Sequence, residues 1–277
     1  MQPTPEHPQA TDGYLIVFAH RGDSGNYPEN TMLSFSQAAA YDIDALETDI
    51  HLTADGEIVV FHDETVDRTT NGSGYLREKT LAELQKLDAG YWWTDDDGAT
   101  YPFRGQGLQI ATLEEMFVAF PEMWINIDIK HHDEKIINPF IKLIRDHNMS
   151  KNLLVGSFDT KILKLFREKC PEVVTAASLT EVFWFFLLTK LHLTKLYRGE
   201  SPAFQIPETQ KFLGLEIHLV DRKFVTAAHD KNVAVHVWTV NEVADMQRLI
   251  DLGVDGLMSD YPRRVLNLIG RDNNKDV

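Results

Sequence analysis

The chain has 277 residues, 43% of them hydrophobic, enough to bury the core of one large α/β domain or of two small ones. Its 42 acidic against 27 basic residues leave a formal net charge of −15, which repels a nucleic-acid backbone and excludes a basic DNA- or RNA-binding surface as the organising feature. The single cysteine, Cys170, excludes an internal disulfide, and residues 1–13 lack the basic start and apolar run of a secretory signal, so a cytoplasmic location is the expectation.

Short apolar, β-branched runs alternate with amphipathic helical stretches along the chain. The first strand is expected near Tyr14–Ala19 and its helix over Thr31–Tyr41, with Asn30 as a candidate cap or as a partner for a catalytic group. The second strand, Ala45–Ile50, is followed by about sixty residues, Leu52–Ala111, that break the rhythm with a hairpin-like stretch ending at Val59–His62 and a Gly/Asp-rich loop at Asp95–Gly98. A connection of that length is usually functional, and it is expected over the mouth of the fold.

After it come a helix over Leu113–Phe120, opened by the capping pair Thr112 and Glu115, then strand Trp124–Ile129 and helix Glu134–His147. Strand Leu153–Gly156, helix Thr160–Lys169 and strands Val173–Ala176 and Leu213–Ile217 continue the alternation. Helix Arg222–Lys231, strand Val233–Trp238, helix Glu242–Leu252 with Asn241 ahead of it, strand Asp255–Met258 and helix Pro262–Leu268 complete it. Eight strands with helices between them fit a (β/α)8 TIM barrel over residues 14–269 better than a doubly wound sheet, which periodicity alone does not exclude, with polar tails at 1–13 and 270–277.

One segment stands outside this pattern. From Val182 to Leu188 the sequence reads VFWFFLL, followed by Leu191; it is far too short to span a membrane and too apolar all round for an ordinary surface helix. A buried helix or dimer contact is one reading, and a lid or peripheral membrane patch through 182–191 beside the barrel mouth is the other.

The chemistry is carried by charged residues at period two inside apolar strands. In Ala45-Leu46-Glu47-Thr48-Asp49-Ile50 the carboxylates Glu47 and Asp49 point to one side, and in Ile125-Asn126-Ile127-Asp128-Ile129-Lys130 the polar residues Asn126, Asp128 and Lys130 do the same. A half-exposed antiparallel strand alternates in this way too, but two such segments in a parallel pattern, each leading into a loop, favour a site at the barrel mouth. Crowded, inward carboxylates repel one another, and a hard divalent cation, Mg2+ or Ca2+, relieves that through oxygen ligands. Histidine and cysteine do not fall at zinc-ligand spacing.

Two histidines complete the set. His20 ends the first strand beside Arg21, and His62 ends Ile58-Val59-Val60-Phe61 beside Asp63. Phosphodiester cleavage needs a base, an acid and positive charge around the phosphoryl oxygens, and His20, His62, Arg21, Lys130 and a metal supply them.

The motifs Ala19-His20-Arg21-Gly22, Pro28-Glu29-Asn30-Thr31, Glu47-Thr48-Asp49, Thr53-Ala54-Asp55-Gly56 and Phe61-His62-Asp63 occur in order, followed by Asp128-Ile129-Lys130, Val237-Trp238-Thr239-Val240-Asn241 and Gly253-Val254-Asp255-Gly256. Together they resemble the glycerophosphodiester phosphodiesterase family over roughly residues 14 to 265. The resemblance implies a barrel with an insertion after the second strand, one divalent cation on Glu47, Asp49 and Asp128, and His20 and His62 as the acid–base pair. It further implies phosphate binding by Arg21 and Lys130, and Trp238 as a wall of the glycerol pocket. Asp128 stands where that family commonly has Glu.

The implied reaction is hydrolysis of a glycerophosphodiester to glycerol 3-phosphate and an alcohol, with water or the glycerol 2-hydroxyl as nucleophile. A lysophospholipase D acting on acylated substrates is the neighbouring alternative, motivated by the 182–191 stretch. A non-catalytic phospholigand-binding barrel is disfavoured because both histidines, all three acids and both cations are present.

Overall fold

The computed structural model describes residues 13–199, 201–212 and 214–272. In chain order its elements begin with strand β1 (Ile16–His20), helix α1 (Met32–Ala39), strands β2 (Ala45–Leu52) and β3 (Ile58–Val60), and helices α2 (Leu81–Leu84) and α3 (Leu113–Ala119). Next come β4 (Trp124–Ile129), α4 (Ile137–Asp146), β5 (Leu153–Gly156), α5 (Thr160–Lys169), β6 (Val174–Thr175) and α6 (Leu179–Lys190). The chain continues through β7 (Ala203–Pro207), β8 (Thr209–Phe212), β9 (Leu215–His218), α7 (Arg222–His229), β10 (Ala234–Trp238), α8 (Val243–Leu252), β11 (Gly256–Ser259) and α9 (Pro262–Leu268).

Eight of these strands run parallel in the order β6-β5-β4-β2-β1-β11-β10-β7. The two ends of the sheet meet where the Ala177 N–H donates to the Ala203 carbonyl at 2.9 Å, which nearly closes a TIM barrel. Period-two alternation sorts the side chains. Val17, Ala19, Leu46, Ile50, Ile125, Ile127 and Ile129 pack outward against the helices, while Ile16, Phe18, Ala45 and Met258 fill the interior. Cys170 is a buried thiol in the outer core.

One expected barrel strand is misplaced. Leu213 lies outside the described residues, and Leu215–His218 pairs antiparallel with Thr209–Phe212 as a hairpin rather than joining the barrel. The sixth barrel strand is instead Ala203–Pro207, which pairs with β10 from Ala234↔Ala203 to Trp238↔Pro207. Its sequence, AFQIP, hides the alternation because the interior position is Gln205, made tolerable by a 2.8 Å hydrogen bond from its Nε2 to Asn126 Oδ1.

The helix starts differ in how they are capped. Thr112 and Glu115 form the expected reciprocal capping box on α3. At α1 the cap is Thr31, whose hydroxyl accepts from Ser34 N–H, so Asn30 is released for the site. At α8 the cap position is Glu242 without a side-chain bond, and Asn241 turns away to Asp260.

The segment after β2 folds back antiparallel through β3 and builds its own small core of Val59, Phe61, Val66, Leu76, Leu84, Ala89 and Ile110. It docks on the β1–α1 loop through Trp93 Nε1 to Ser24 O (3.3 Å) and a Tyr27–Phe103 ring contact. At the other end Arg271, in the expected polar tail, is held by ion pairs to Asp44 and Asp42. No described helix is long and apolar enough to cross a membrane.

Candidate active site

Register places the chemistry at the C-terminal ends of neighbouring strands. His20 is level with Glu47, Glu47 with Asn126, and Asp49 with Asp128, so the polar interior residues of β1, β2 and β4 form contiguous layers. They open into a cavity of about 560 Å3 lined by His20, Arg21, Glu47, Asp49, His62, Asp128, Lys130 and Trp238, which brings together every site residue expected from sequence. A larger groove of about 950 Å3 lies beyond Lys130 along His51, His131 and Arg77, but it touches neither His20 nor the acids Glu47 and Asp128.

Arg21 stands at the strand-to-helix turn in the left-handed region (φ 55), costly for a side chain with a Cβ. Its N–H offsets that cost by bonding both the Glu47 carbonyl (3.0 Å) and Glu47 Oε2 (3.1 Å). Next to it Gly22 (φ +83) is obligatory, since a Cβ there would lie 2.6 Å from the Ser34 backbone. The Arg21 guanidinium reaches Glu29 Oε1 at 2.9 Å and lies 3.2 Å from Asp49 Oδ2.

Both histidines are clamped through Nδ1. His20 Nδ1 is 2.6 Å from Asp260 Oδ1, and His62 Nδ1 is 2.6 Å from Asp63 Oδ1. With Nδ1 so engaged, Nε2 is the nitrogen left for proton transfer. Burial alone lowers the His20 pKa, yet the Glu47 carboxylate and the Asp260 hydrogen bond outweigh it and hold the imidazole above its ordinary value.

The three acids share one environment. Glu47 and Asp49 are almost fully buried, and burial together with the Asp49 charge pushes the Glu47 carboxyl up to about 7. Asp49 accepts from Asn30 Nδ2 at 3.2 Å and lies 3.3 Å from Lys130 Nζ. Burial likewise raises Asp128, whose Oδ2 accepts from Lys130 Nζ at 2.6 Å while its buried Oδ1 has no partner.

Among the described residues no three His, Cys, Asp or Glu side chains stand close enough to hold an ion as placed. The donor set still fits a hard cation: all oxygen, with one orphaned carboxylate oxygen in Asp128 and a carboxyl at Glu47 whose ionised form is undercompensated.

Several functional partners were not read from the sequence. Asp260 follows β11 in an ordinary-looking Ser-Asp-Tyr turn, and its role depends on a 240-residue separation from His20. Arg68, from the inserted segment, forks between Asp63 (2.6 Å from Nε) and Glu29 (2.7 Å from Nη1), joining the His62 clamp to Arg21. The adjacency of His62 and Asp63 was the one available signal, whereas nothing local marked Arg68.

The family model for glycerophosphoryl diester phosphodiesterases matches residues 20–264. The chain belongs to that family. A glycerophosphodiester phosphodiesterase of Caldanaerobacter subterraneus is 33% identical over 267 residues, covering 92% of this chain and 97% of that protein. A lysophospholipase D of Homo sapiens is 28% identical over 289 residues, covering 96% of this chain and 90% of its own. Among solved structures, an Oleispira antarctica phosphodiesterase in complex with the product sn-glycerol-3-phosphate superposes with a TM-score of 0.76 at 28% identity, covering 93% of this chain and 97% of that one.

Proposed function

We propose that this protein hydrolyses glycerophosphodiesters to glycerol 3-phosphate and an alcohol, with residues 14–269 as one catalytic domain whose segment 52–111 supplies His62. The observation that carries the reading is the pair of carboxylate-clamped histidines lining one cavity with Arg21 and Lys130. The substrate is a small molecule of the kind the Oleispira enzyme holds as product. Nucleic acid has no place at so acidic a chain, and a cytoplasmic setting suits its lone cysteine.

Arg21 and Lys130 bind the phosphoryl oxygens, and Trp238 at the end of β10 walls the glycerol side, its ring in edge contact with Phe158 at 5.8 Å. One histidine takes a proton from the attacking hydroxyl at Nε2. The other delivers its proton to the oxygen of the departing alcohol as the phosphorus–oxygen bond breaks. Glu47, Asp49 and Asp128 would hold one Mg2+ or Ca2+, which when bound adds positive charge against the phosphoryl oxygens.

The test is release of glycerol 3-phosphate from glycerophosphocholine, compared with His20→Ala and His62→Ala. Each variant should lose at least about a hundredfold in kcat. Near-normal turnover in both would remove the assignment.

A further inference from the structure

Of the two proposed acid–base histidines, only His62 stands outside a barrel strand. It follows β3 in the inserted segment, and the main-chain bonding of β3 to β2 runs from Leu52↔Ile58 through Ile50↔Val60 to the Phe61 N–H, which donates to the Asp49 carbonyl at 2.9 Å. His62 lies one residue past that bond. Asp63 orients the His62 ring, but the two are neighbours, so their contact leaves open what fixes the main chain that carries them. The Arg68 fork ties the Asp63 end to Glu29 on the β1–α1 loop. The β2 side needs a tie of its own.

His51 supplies it. Its Nε2 lies 3.1 Å from the His62 carbonyl oxygen, and because a carbonyl only accepts, Nε2 is the nitrogen that carries the proton. His51 follows Glu47 and Asp49 on β2 at the same parity, so one strand bears two of the proposed metal ligands and the side chain that reaches His62. The imidazole is also held from its other side. It is 4% exposed, and the ring of His131 on the β4–α4 loop, 8% exposed, meets it edge to face with centres 6.0 Å apart. Both rings line the groove beyond Lys130 and not the catalytic cavity, so His51 does not touch a phosphodiester held between Arg21 and Lys130.

We infer that His51 is a positioning residue for His62: its Nε2–H holds the His62 main chain on β2, so that the ring clamped by Asp63 meets the phosphodiester at the distance proton transfer needs. The inference rests on the phosphodiesterase reading above, in which His62 is one of the acid–base pair. A reacting group displaced by about 1 Å loses on the order of a hundredfold in rate, so a single hydrogen bond to the backbone behind it has a large effect.

The test is a set of substitutions at position 51, assayed on glycerophosphocholine with Mg2+ or Ca2+ titrated to saturation. Glutamine reaches as far as the imidazole and places an amide N–H near the position of Nε2, whereas methionine has the same length and shape without a donor. His51→Met should lower kcat by about tenfold to a hundredfold with KM changed little, and His51→Gln should recover it to within about threefold of wild type. His51→Asn, whose shorter amide stops short of the Nε2 position, should behave as His51→Met does. Circular dichroism establishes that each variant is folded before its kinetics are compared.

A double-mutant cycle with His62→Ala completes the test. A residue that acts only through His62 adds nothing once that imidazole is gone, so His51→Met/His62→Ala should turn over within about twofold of His62→Ala alone. Equal activity of the Met and Gln variants, or losses that multiply in the double variant, would overturn the inference. A His51→Met loss restored by raising Mg2+ or Ca2+ would overturn it too, by assigning His51 to the acids on β2. Near-normal turnover in His62→Ala itself would instead remove His62 from the catalytic pair and with it the phosphodiesterase reading of this site.

Discussion

Asp260 Oδ1 lies 2.6 Å from His20 Nδ1, while its Oδ2 accepts from Asn241 Nδ2 at 2.6 Å and Ser24 Oγ donates to Oδ1 at 2.9 Å. The carboxylate is thus fixed from two loops before it fixes the imidazole. Burial pushes the Asp260 pKa up, but the His20, Asn241 and Ser24 contacts win and hold it below its ordinary value.

Asp260→Asn keeps the shape and removes the charge that stabilises protonated His20. The expected outcome is a fall in kcat of about a hundredfold with KM changed little, read from steady-state kinetics on glycerophosphocholine. An equal loss confined to KM would assign Asp260 to substrate binding.

Arg68 couples the inserted segment to the barrel by holding Asp63 and Glu29 in one guanidinium fork. Lysine cannot reproduce that planar geometry. Arg68→Lys should therefore cost roughly tenfold in kcat/KM, although it preserves the charge. Full activity in this variant would show that His62 is placed by Asp63 alone.

The closing seam of the barrel depends on Phe185, fully buried against Phe204, Phe224 and Tyr197. Phe185→Ala should destabilise the fold by about 3–5 kcal/mol, measured by denaturant unfolding.

His236 is fully buried inside the barrel, its ring 4.9 Å from the Phe18 ring centre, and burial alone lowers its pKa to about 3. In the unfolded chain the same imidazole takes up a proton near pH 6.5. Between these values the unfolded state binds the extra proton, so the stability from this group is complete above 6.5 and is lost as pH falls toward 3. Glu47, raised to about 7, has the opposite sign: its contribution is present below its unfolded value and lost as pH rises through 7. The two are separated by difference. The unfolding free energy of His236→Gln should fall less steeply between pH 6 and 5 than that of the wild type, by about 1 kcal/mol per pH unit.

Much of this site is legible in the sequence because a strand sorts its residues by parity. Glu47, Asp49, Asp128 and Lys130 share an interior that follows from alternation within β2 and β4, and the outward isoleucines confirm the sides. His20 and His62 were marked by their position at strand ends beside charged residues.

What was not legible depends on distance in the chain or on a competing local signal. Asp260 and Arg68 act through partners 240 and 39 residues away, and neither stands in a periodic pattern. Asn30 looked like a helix cap, but Thr31 next to it takes that task, and its amide goes to Asp49 instead. In Ala203–Pro207 the interior Gln205 masked a barrel strand, while the half-exposed hairpin strand Leu215–His218 imitated one.

On the proposed reading, Glu47, Asp49 and Asp128 would hold a divalent cation needed for phosphodiester cleavage. Burial and the Asp49 charge hold the Glu47 carboxyl above its usual range, so proton and cation compete there, and affinity for Mg2+ or Ca2+ should rise with pH. The most direct measurement is glycerol 3-phosphate release from glycerophosphocholine by metal-stripped protein, before and after either ion is returned. Release is expected only after addition and is abolished in Asp128→Ala; undiminished release by the stripped protein would show that cleavage needs no cation at these carboxylates.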